Sequence, residues 1–515
     1  MKRVYSDKHG ERPNDKRLRR PNPDRMSKLS EEILVRILSF LPVATLIDCQ
    51  RVSTKFARLA VDVEVWKAAY YNEFVLPRAS RIPGIRYAAG PDPLLYSSKA
   101  AKWLDDRDLV KKGANTNWKQ QYRLRHNWAR GNCAVSEIVI TKRTPAPPLL
   151  VLMHKGILFI ADSVSGLRAW NTKDRRALLA CTTLAGIENN TPRLPTSLAV
   201  DCHNIPQGPV RVVVGFEDGS LTAFGLSRED GMFTKVFSRP PSANGCLTAL
   251  AYASPYLLTM TEDHVFSIYD LKEEAVSHSS PSSPRLLHSL RSHTAWPPMS
   301  LSLRTATNHV TASIAYSIPT LHSGWTVGIQ ETLLSHEGEL LESRTAMEVY
   351  DPSHCLSGSS SLSSPPTSMS YTHPYLLVTR PDNTLAFYVV TSTASALSIS
   401  PGSRLWGHTS SVSGVHVGVR GKAVSVSRLG DELRVWDLEG AVTNGRPDIG
   451  GEFSVRVQPA RTVVAEEKLG LRFFLDQSHD DSTISRGWVG FDEQNVVVLR
   501  EKRGGGQSLA VYDFS

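Results

Sequence analysis

The most constraining feature of this chain is a hairpin-like unit that returns about seven times after Gly131. Each copy has an apolar, β-rich run, a tight turn containing Asp, Gly or Asn, and a second run that ends in an aromatic residue. The copies begin at Gly156, Val210, Tyr256, His309, Tyr375, Lys422 and Asn495. Such regular spacing predicts an all-β propeller that has one hairpin in each of about seven blades.

In three copies an Asp precedes the terminal aromatic by six residues. The pairs are Asp218 and Phe224, Asp263 and Tyr269, and Asp382 and Tyr388. Asp tolerates the positive φ that a short hairpin connection demands, and the strand alternation then directs the aromatic side chain back into the sheet. This pattern predicts a turn at each Asp and a buried aromatic after it.

The sixth copy resembles the WD-repeat family. It follows Trp406-Gly407-His408 and ends in Val435-Trp436-Asp437. The family's turn Asp, which supports the His, is replaced by Gly430, and Asp431 stands one place late. The other copies keep the apolar pattern without the Gly-His and Trp-Asp pairs, so the propeller is expected to be a divergent, WD-repeat-like one.

The last strand-like segment, Ser508 to Phe514, predicts how the ring closes. It matches the strand that ends a WD-like unit, and no outer strand follows it. An unpaired strand edge invites aggregation. We therefore expect Val135 to Ile140, the first strand-like segment after the helical region, to pair with it in one blade.

A helical region precedes the repeats between Leu29 and Trp66. Its first apolar stripe recurs at three- and four-residue steps, which places it on one side of a helix. Ser30 is a suitable N-cap, and Pro42 should end this helix near Leu41. A second helix carries Leu46, Ile47 and Cys49, and a third stripe comprises Val52, Phe56, Leu59 and Ala60. Three short helices bury little surface, so part of the stripe should remain for a partner.

The order Leu-x-x-Glu-Ile-Leu-x-x-Ile-Leu-Ser-Phe-Leu-Pro, followed by Cys-Gln-Arg-Val-Ser-x-Lys-Phe and by Trp66-Lys67, resembles the F-box family. That family usually opens with Leu-Pro, where this chain has Leu29-Ser30. F-box helices dock on the Skp-type adaptor of cullin-RING ubiquitin ligases. The resemblance implies adaptor contacts from Leu29, Ile33, Leu34, Ile37, Leu38, Leu41 and Pro42. The alternative is a generic amphipathic helix pair buried inside a larger domain.

The segment Asn117 to Gly131 predicts a further helix, with Gly131 as its stop. Trp118, Tyr122, Arg125 and Trp128 lie near one face, and this pattern resembles the connector of F-box/WD-repeat proteins. We expect the aromatics to pack against the propeller while Lys119, Arg123 and Arg130 stay solvated; an RNA-binding strip is the alternative.

These patterns divide the chain into four predicted parts. They are a disordered basic tail at 1–25, an F-box at 26–70, a linker and connector at 71–131, and the propeller at 132–515. The linker includes a loop from Pro77 to Pro93, and the propeller includes Ser/Pro-rich loops near 277–284 and 357–370.

Charge is distributed unevenly along the chain. The net charge is +9, of which residues 1–130 carry +13 and residues 131–515 carry −4. A mildly acidic propeller disfavours binding to nucleic-acid backbones. The cluster from Lys16 to Arg20 is either a nuclear import signal or a solvated arm. Because no apolar run reaches membrane-spanning length, we expect a soluble protein of the cytoplasm, the nucleus or both.

Residues suited to catalysis or metal binding are scattered. The six cysteines include no Cys-x-x-Cys pair, and no phosphate loop, zincin helix or nucleophile elbow is present. His408 and His416 fit a role in supporting the blade or a place on the surface better than metal ligation. We expect no cofactor, no metal and no catalytic activity.

Together these patterns predict a non-catalytic substrate-recognition subunit of an SCF-type ubiquitin ligase, with a Skp-type adaptor, a cullin scaffold and an unidentified protein substrate as partners. The weak candidates for substrate contact are Arg168, Arg380, Arg428 and Arg434. Two alternatives are a non-degradative WD-repeat scaffold that binds the adaptor and an RNA-associated protein that uses the basic N-terminal region.

Overall fold

The protein consists of two compact units that divide between Arg123 and Leu124. The computed structural model describes residues 26, 28–79, 116–141, 149–172, 177–185, 193–201, 208–227, 230–271, 284–291, 296–306, 308–320, 324–348, 364–418, 421–428, 432–439, 448–449, 453–459, 482–483, 488–502 and 506–515. No helix within these ranges has the length and apolar content needed to cross a membrane. The basic cluster from Lys16 to Arg20 lies outside them, as do most of the Pro77 to Pro93 segment, most of the Ser/Pro-rich segment 277–284 and half of the Ser/Pro-rich segment 357–370.

The first unit is helical. Its helices are α1 (Glu31–Leu38), α2 (Val43–Cys49), α3 (Thr54–Leu59), α4 (Val63–Tyr70), a π-helical turn (Tyr71–Val75), α5 (Leu76–Ala79) and the first part of α6 (Trp118–Arg130). Pro77 lies within α5, so the prediction of a loop from that residue was wrong at its start. The prediction for α6 is confirmed, and Gly131 ends it with a φ of 71°, which glycine adopts without strain.

Helix α1 begins at the predicted residue and ends earlier than predicted. Ser30 occupies the N-cap position with an extended backbone, although its hydroxyl makes no capping bond. After Leu38, the amides of Phe40 and Leu41 donate to carbonyls three residues back, at 3.2 and 3.1 Å. This tight turn uses the residues ahead of Pro42, so the helix itself stops at Leu38.

The core of the helical unit includes aromatic residues from α6. Trp66 is buried, and its indole N–H donates to the Ala60 carbonyl at 2.7 Å. The Tyr122 ring packs edge-on against Trp66 with centroids 5.5 Å apart, and Trp118 packs similarly against Tyr70 at 5.4 Å. The prediction that these two aromatics pack against the propeller was therefore wrong: they complete the small helical core instead. Lys119 was expected to be solvated, but its ammonium group donates to Gln50 at 2.8 Å.

The second unit contains seven β-sheets within the described residues, which form the blades of a propeller. Blades 1 to 4 are antiparallel and have four strands each. Blade 1 has β2 (Leu150–His154), β3 (Ile157–Asp162), β4 (Gly166–Asn171) and β5 (Leu178–Thr182), and blade 2 has β6 (Pro195–Val200), β7 (Val210–Phe216), β8 (Leu221–Ser227) and β9 (Met232–Arg239). Blade 3 has β10 (Leu247–Ala253), β11 (Tyr256–Thr261), β12 (Val265–Asp270) and β13 (Arg285–Arg291), and blade 4 has β14 (Trp296–Thr305), β15 (Val310–Pro319), β16 (Trp325–Leu334) and β17 (Leu340–Met347).

Blade 6 is also a four-stranded antiparallel sheet, whereas blades 5 and 7 are less regular and incorporate short additional strands. Blade 5 has β18 (Ser368–Thr372), β19 (Tyr375–Thr379), β20 (Leu385–Ser392), β21 (Leu397–Ile399), β22 (Ser403–Leu405) and β26 (Asp448–Ile449). Blade 6 has β23 (Val412–Val417), β24 (Lys422–Ser427), β25 (Leu433–Asp437) and β27 (Ser454–Arg456). Blade 7 has β1 (Asn132–Thr141), β28 (Gln458–Pro459), β29 (Ser482–Thr483), β30 (Val489–Phe491), β31 (Asn495–Lys502) and β32 (Gln507–Asp513). Residues 368–370 lie in β18, so the loop predicted to reach residue 370 ends sooner.

Each of the seven predicted hairpins forms two paired strands in a separate blade. The turn aspartates lie between the paired strands as predicted, and Phe224, Tyr269 and Tyr388 are buried. The positive φ, however, falls on the residue after Asp218 and Asp263, at 75° and 58°. The Asp218 carboxylate instead accepts the amide two residues later at 2.9 Å, which stabilises the turn.

The innermost strands of the seven blades neighbour one another in a closed ring. Side-chain hydroxyl groups satisfy backbone groups on their inner edges. The Thr196 hydroxyl donates to the Leu247 carbonyl at 2.7 Å, while the Ser370 hydroxyl accepts the Val417 amide at 3.1 Å. These bonds link successive blades where no strand continues the ladder.

The predicted ring closure is confirmed. Strand β1 pairs antiparallel with β32, with Val135 opposite Tyr512 and Ile138 opposite Leu509. Strand β32 also pairs with β31, so it lies between segments from opposite ends of the propeller sequence. Beside this blade, the Trp128 ring stacks on Phe514 with centroids 4.0 Å apart and planes inclined by 9°. The first and last strands thus close the ring in blade 7.

Two cysteines in the propeller differ sharply in accessibility. Cys133 in β1 is buried, and burial raises the pKa of its thiol to about 12, whereas Cys181 in β5 is exposed. Since the thiolate is the reactive species, iodoacetamide at mildly alkaline pH should modify Cys181 in the native protein while Cys133 reacts orders of magnitude more slowly. Peptide mapping by mass spectrometry checks this. In denaturant the two thiols should react alike, and equal native rates would contradict the buried position of Cys133.

Candidate functional site

Helix α1 presents large apolar side chains to solvent on the side opposite its core. Ile33 is 51% exposed, Ile37 is 37% exposed and Phe40, just after the helix, is 72% exposed. Their spacing of four and three residues places them in one row, and we refer to these three residues as the α1 strip. A row of exposed apolar side chains such as this is typical of an interaction surface.

The structure divides the seven predicted adaptor residues into groups. Ile33 and Ile37 face outward, and Pro42 is exposed. Leu34 and Leu38 are fully buried in the unit's own core, and Leu29 and Leu41 pack partly against it. Leu34 and Leu38 are therefore corrected to core residues, because a side chain enclosed by its own domain is not available to a partner. Residue periodicity alone assigned the inward-facing and the outward-facing residues of α1 to a single apolar stripe.

Phe40 is the member of the α1 strip that sequence reasoning missed. It stands seven residues after Ile33, so the helical repeat already held the signal. The Arg36 guanidinium lies over the Phe40 ring, 4.8 Å from its centroid. Nearby, Arg58 on α3 forms an ion pair with Glu31 on α1 and donates a hydrogen bond to its carboxylate. This hydrogen bond lowers the pKa of Glu31. Charged groups thus border the apolar row.

Blade 6 contains a buried polar network around His408. The His408 Nε2 atom and the Trp436 indole N–H both contact the Ser425 hydroxyl, at 2.6 and 2.7 Å. On the other side of the ring, His408 Nδ1 lies 3.5 Å from a carboxylate oxygen of Glu432. Glu432 therefore provides an acidic group near the His, whereas Asp431 lies outside the described residues. The network connects the segment before β23 with strands β24 and β25.

Glu432 is fully buried and its carboxylate is satisfied by neighbours. It accepts the Thr409 amide at 2.8 Å, the Thr409 hydroxyl at 3.0 Å and the Arg434 guanidinium at 2.8 Å. Burial by itself raises the pKa of Glu432, but the bonds from Thr409 and Arg434 and the charge of His408 outweigh it, so the pKa is lowered.

Replacing Glu432 with Ala should destabilise the protein by about 3 kcal/mol, because Arg434 and the Thr409 amide lose their acceptor. Since the pKa is lowered, the carboxylate's contribution is present above its ordinary value of 4.5 and is lost as the pH falls through the lowered value. Urea unfolding of both proteins across this range should show the difference shrinking in acid. Glu337→Ala, at an exposed turn, is the control and should stay within about 0.5 kcal/mol of the parent. Equal destabilisation by both variants would contradict the proposed role of the network.

The four arginines predicted for substrate contact occupy different environments. Arg428, directly after β24, is exposed. Arg168 is ion-paired with the buried Asp162 at 2.6 Å, and Arg434 is ion-paired with Glu432. Arg380 is only 4% exposed, so we correct it to an interior residue: its guanidinium is not presented to a substrate. All four arginines were candidates because of their positive charge. In the structure Arg380 is buried, and the charges of Arg168 and Arg434 are neutralised by ion pairs.

The described residues were compared with the arrangement of side chains that a metal site requires. Among them, no group of three or more His, Cys, Asp or Glu residues is placed to hold a metal ion. His408 contacts Ser425 and Glu432 as described, which is a structural arrangement.

The helical unit with its outward α1 strip and the seven-bladed ring define the chain as an F-box protein with a β-propeller. It belongs to the family described as F-box protein pof12 beta-propeller, whose model matches residues 133–515. The F-box-like family model matches residues 28–72. Both kinds of domain typically recognise proteins without catalysing a reaction. In proteins that carry them, F-box domains generally bind Skp1-type adaptors in cullin complexes.

Similarity to individual proteins is limited in extent. F-box protein dre-1 from Caenorhabditis elegans is 41% identical over 49 residues, which are 10% of this chain and 5% of that protein. Among solved structures, the Cps50 (Swd1) β-propeller domain of Myceliophthora thermophila is 11% identical, with 73% of this chain and 99% of that chain covered and a TM-score of 0.41. U3-55K is 8% identical, with 74% and 98% covered and a TM-score of 0.42. The assignment of the propeller accordingly stands on its strand pairing and the family match.

Proposed function

We propose that this protein is the substrate-recognition subunit of an SCF-type cullin-RING ubiquitin ligase. In this role the helical unit binds a Skp-type adaptor, and the propeller binds a protein substrate. The chain itself performs no chemistry; it holds the substrate where other subunits and enzymes transfer ubiquitin.

The observation that carries this proposal is the α1 strip on a unit that matches the F-box-like family. A row of apolar side chains along one helix suits a groove on a partner, because burial of each large apolar side chain contributes roughly 1.5–3 kcal/mol. The core of the unit does not need these residues, since Leu34 and Leu38 already fill it. The exposed row is therefore free to serve a partner.

The proposal is tested by co-purification of the full chain with a purified Skp-type adaptor and cullin. Stable complex formation that depends on the α1 strip supports adaptor docking. No complex with the parent protein would refute it. Degradation is a separate step: proteins that bind residues 131–515 and accumulate when the chain is removed would be substrates, and a lack of accumulation would favour a non-degradative scaffold.

We further propose that the cluster from Lys16 to Arg20, outside the described residues, directs the protein to the nucleus. The cytoplasm is the location expected without such a signal.

A further inference from the structure

The outermost strand of blade 4, β17 (Leu340–Met347), has an open edge. No other strand of the described residues pairs with that edge. In contrast, β22 of blade 5 and β1 of blade 7 are each covered on their outer side by a short parallel strand, β26 and β28. Native proteins commonly guard a long edge with lysine or proline, and β17 contains neither. The edge of β17 is therefore suited to pairing with another extended chain.

Three of the eight residues of β17 are large apolar residues that are exposed. Leu340 is 45% exposed, and Leu341 and Met347 are each 55% exposed. An open hydrophobic edge strand tends to associate with other strands, because pairing satisfies backbone groups and removes apolar surface from water at the same time. The strand thus has both the hydrogen-bonding groups and the apolar surface that an interface requires.

Two charged residues of β17 decide which partner fits this edge. The Glu342 side chain is 45% exposed, and the Arg344 Nε atom lies 3.6 Å from one of its carboxylate oxygens. Arg344 is held in place, because its guanidinium donates to the Thr393 carbonyl at 2.7 Å and lies 3.9 Å from the buried Glu331. The pairing of β17 with β16 is regular from Glu342 to Met347, so Glu342 and Arg344 share one face. The strand presents an acid and a base two residues apart.

The outermost strands of blades 2 and 3, β9 and β13, lack this combination. Their charged residues are all cationic: Lys235 and Arg239 in β9, and Arg285 and Arg291 in β13. Two copies of either strand would bring only like charges together, which destabilises a strand pair. Strand β17 differs because its charges complement those of an identical strand that runs in the opposite direction.

We propose that two copies of this chain associate through β17, whose edge pairs antiparallel with β17 of the second copy. The two-fold axis passes through Ser343, so that Glu342 of each copy lies opposite Arg344 of the other. A two-fold axis perpendicular to the sheet must pass through a residue, because it keeps the same face of both strands on one side. An axis at Glu342 or at Arg344 would place two identical charges opposite each other. The charges therefore select one register.

Self-association of the full chain is measured by sedimentation velocity. Concentrations from about 1 to 200 μM are suitable, because one pair of strands forms a small interface and a weak, reversible dimer is expected. The sedimentation coefficient should rise with concentration from that of a monomer toward that of a dimer. The measurement uses neither the α1 strip nor an adaptor, so its outcome is independent of the proposed ligase role.

Variants at the axis test the register. Ser343 is exposed, and Ser343→Lys or Ser343→Glu places two like charges opposite each other, so each should weaken the dimer at least about tenfold. An equimolar mixture of the two variants should restore the dimer, because Lys then lies opposite Glu. Glu342→Arg should also weaken the dimer, because it leaves only cations at the centre of the interface.

The matched control is Ser289→Lys in β13. Ser289 is likewise an exposed serine of an outermost strand, and its hydroxyl lies 3.1 Å from that of Ser267, much as the Ser343 hydroxyl accepts from Gln330 at 3.4 Å. This variant should associate like the parent. Circular dichroism should show that all the variants are folded.

Three results would each overturn the proposal. The first is a chain that stays monomeric at the highest concentration, which would leave the edge to a strand from a different protein. The second is a dimer that both Ser343 variants leave unchanged, which would place the interface elsewhere. The third is a mixture of the two variants that associates no better than either variant alone, which would contradict the register.

Discussion

Replacing Ile37 with Asp is expected to abolish the complex with a Skp-type adaptor while leaving the helical unit folded. Ile37 lies in the middle of the α1 strip, between Ile33 and Phe40, and is partly exposed. The change removes roughly 1.5–3 kcal/mol of apolar burial at the interface. It also places a carboxylate against an apolar partner surface, which costs several kcal/mol more. Affinity should fall by a factor on the order of 1,000 or more.

The measurement is co-purification or calorimetry with the purified adaptor, together with thermal unfolding of each variant. Val63→Asp is the matched control, because Val63 is an exposed apolar residue of α4 in the same unit but outside the α1 strip. It should retain the adaptor. Leu41→Asp is a poorer test, since Leu41 packs partly against the core and its replacement also destabilises the unit. Adaptor binding that survives Ile37→Asp would contradict docking through α1.

Removal of residues 508–515 is expected to abolish cooperative folding of the propeller. The deletion takes out nearly all of β32, which pairs with β1 on one side and β31 on the other. It also removes Leu509, Val511 and Phe514, which are fully buried. Loss of one large core side chain costs about 2–5 kcal/mol, so the loss of three approaches or exceeds the whole stability of a typical domain.

Circular dichroism during heating and limited proteolysis should show the loss of a sharp transition and rapid digestion of residues 131–507. Deletion of Ser515 alone is the control, because this residue is exposed and lies beyond the last strand. A milder variant, Phe514→Ala, should keep a cooperative transition but lose about 3–5 kcal/mol through the cavity under Trp128. A truncated protein that still unfolds cooperatively would show that the propeller does not need the pairing of β32 with β1 and β31.

The fold was predictable to the extent that it rests on local patterns. The seven hairpins followed from apolar runs and their turn residues, and the burial of Phe224, Tyr269 and Tyr388 followed from strand alternation. Pairing of the first and last strands followed from the need to cover an exposed edge. The details of the turns did not follow in the same way, because the Asp carboxylates act through hydrogen bonds while the next residue adopts the positive φ.

The candidate sites were less predictable, because they depend on neighbours that are distant in sequence. Glu432 was overlooked since a pattern search looks for Asp at one fixed turn position, whereas the network requires only a carboxylate near His408.

The sequence by itself determined the two kinds of domain, the seven repeats and the helix that carries the α1 strip. Periodicity determines which residues share a face, and hairpin and cap residues determine where elements turn. Only the tertiary structure decided which side of α1 is free: Leu34 and Leu38 turn inward against Trp66 and its neighbours, and the α1 strip turns outward. The physical reason is that a helical repeat places residues around an axis, while burial depends on what packs against each side.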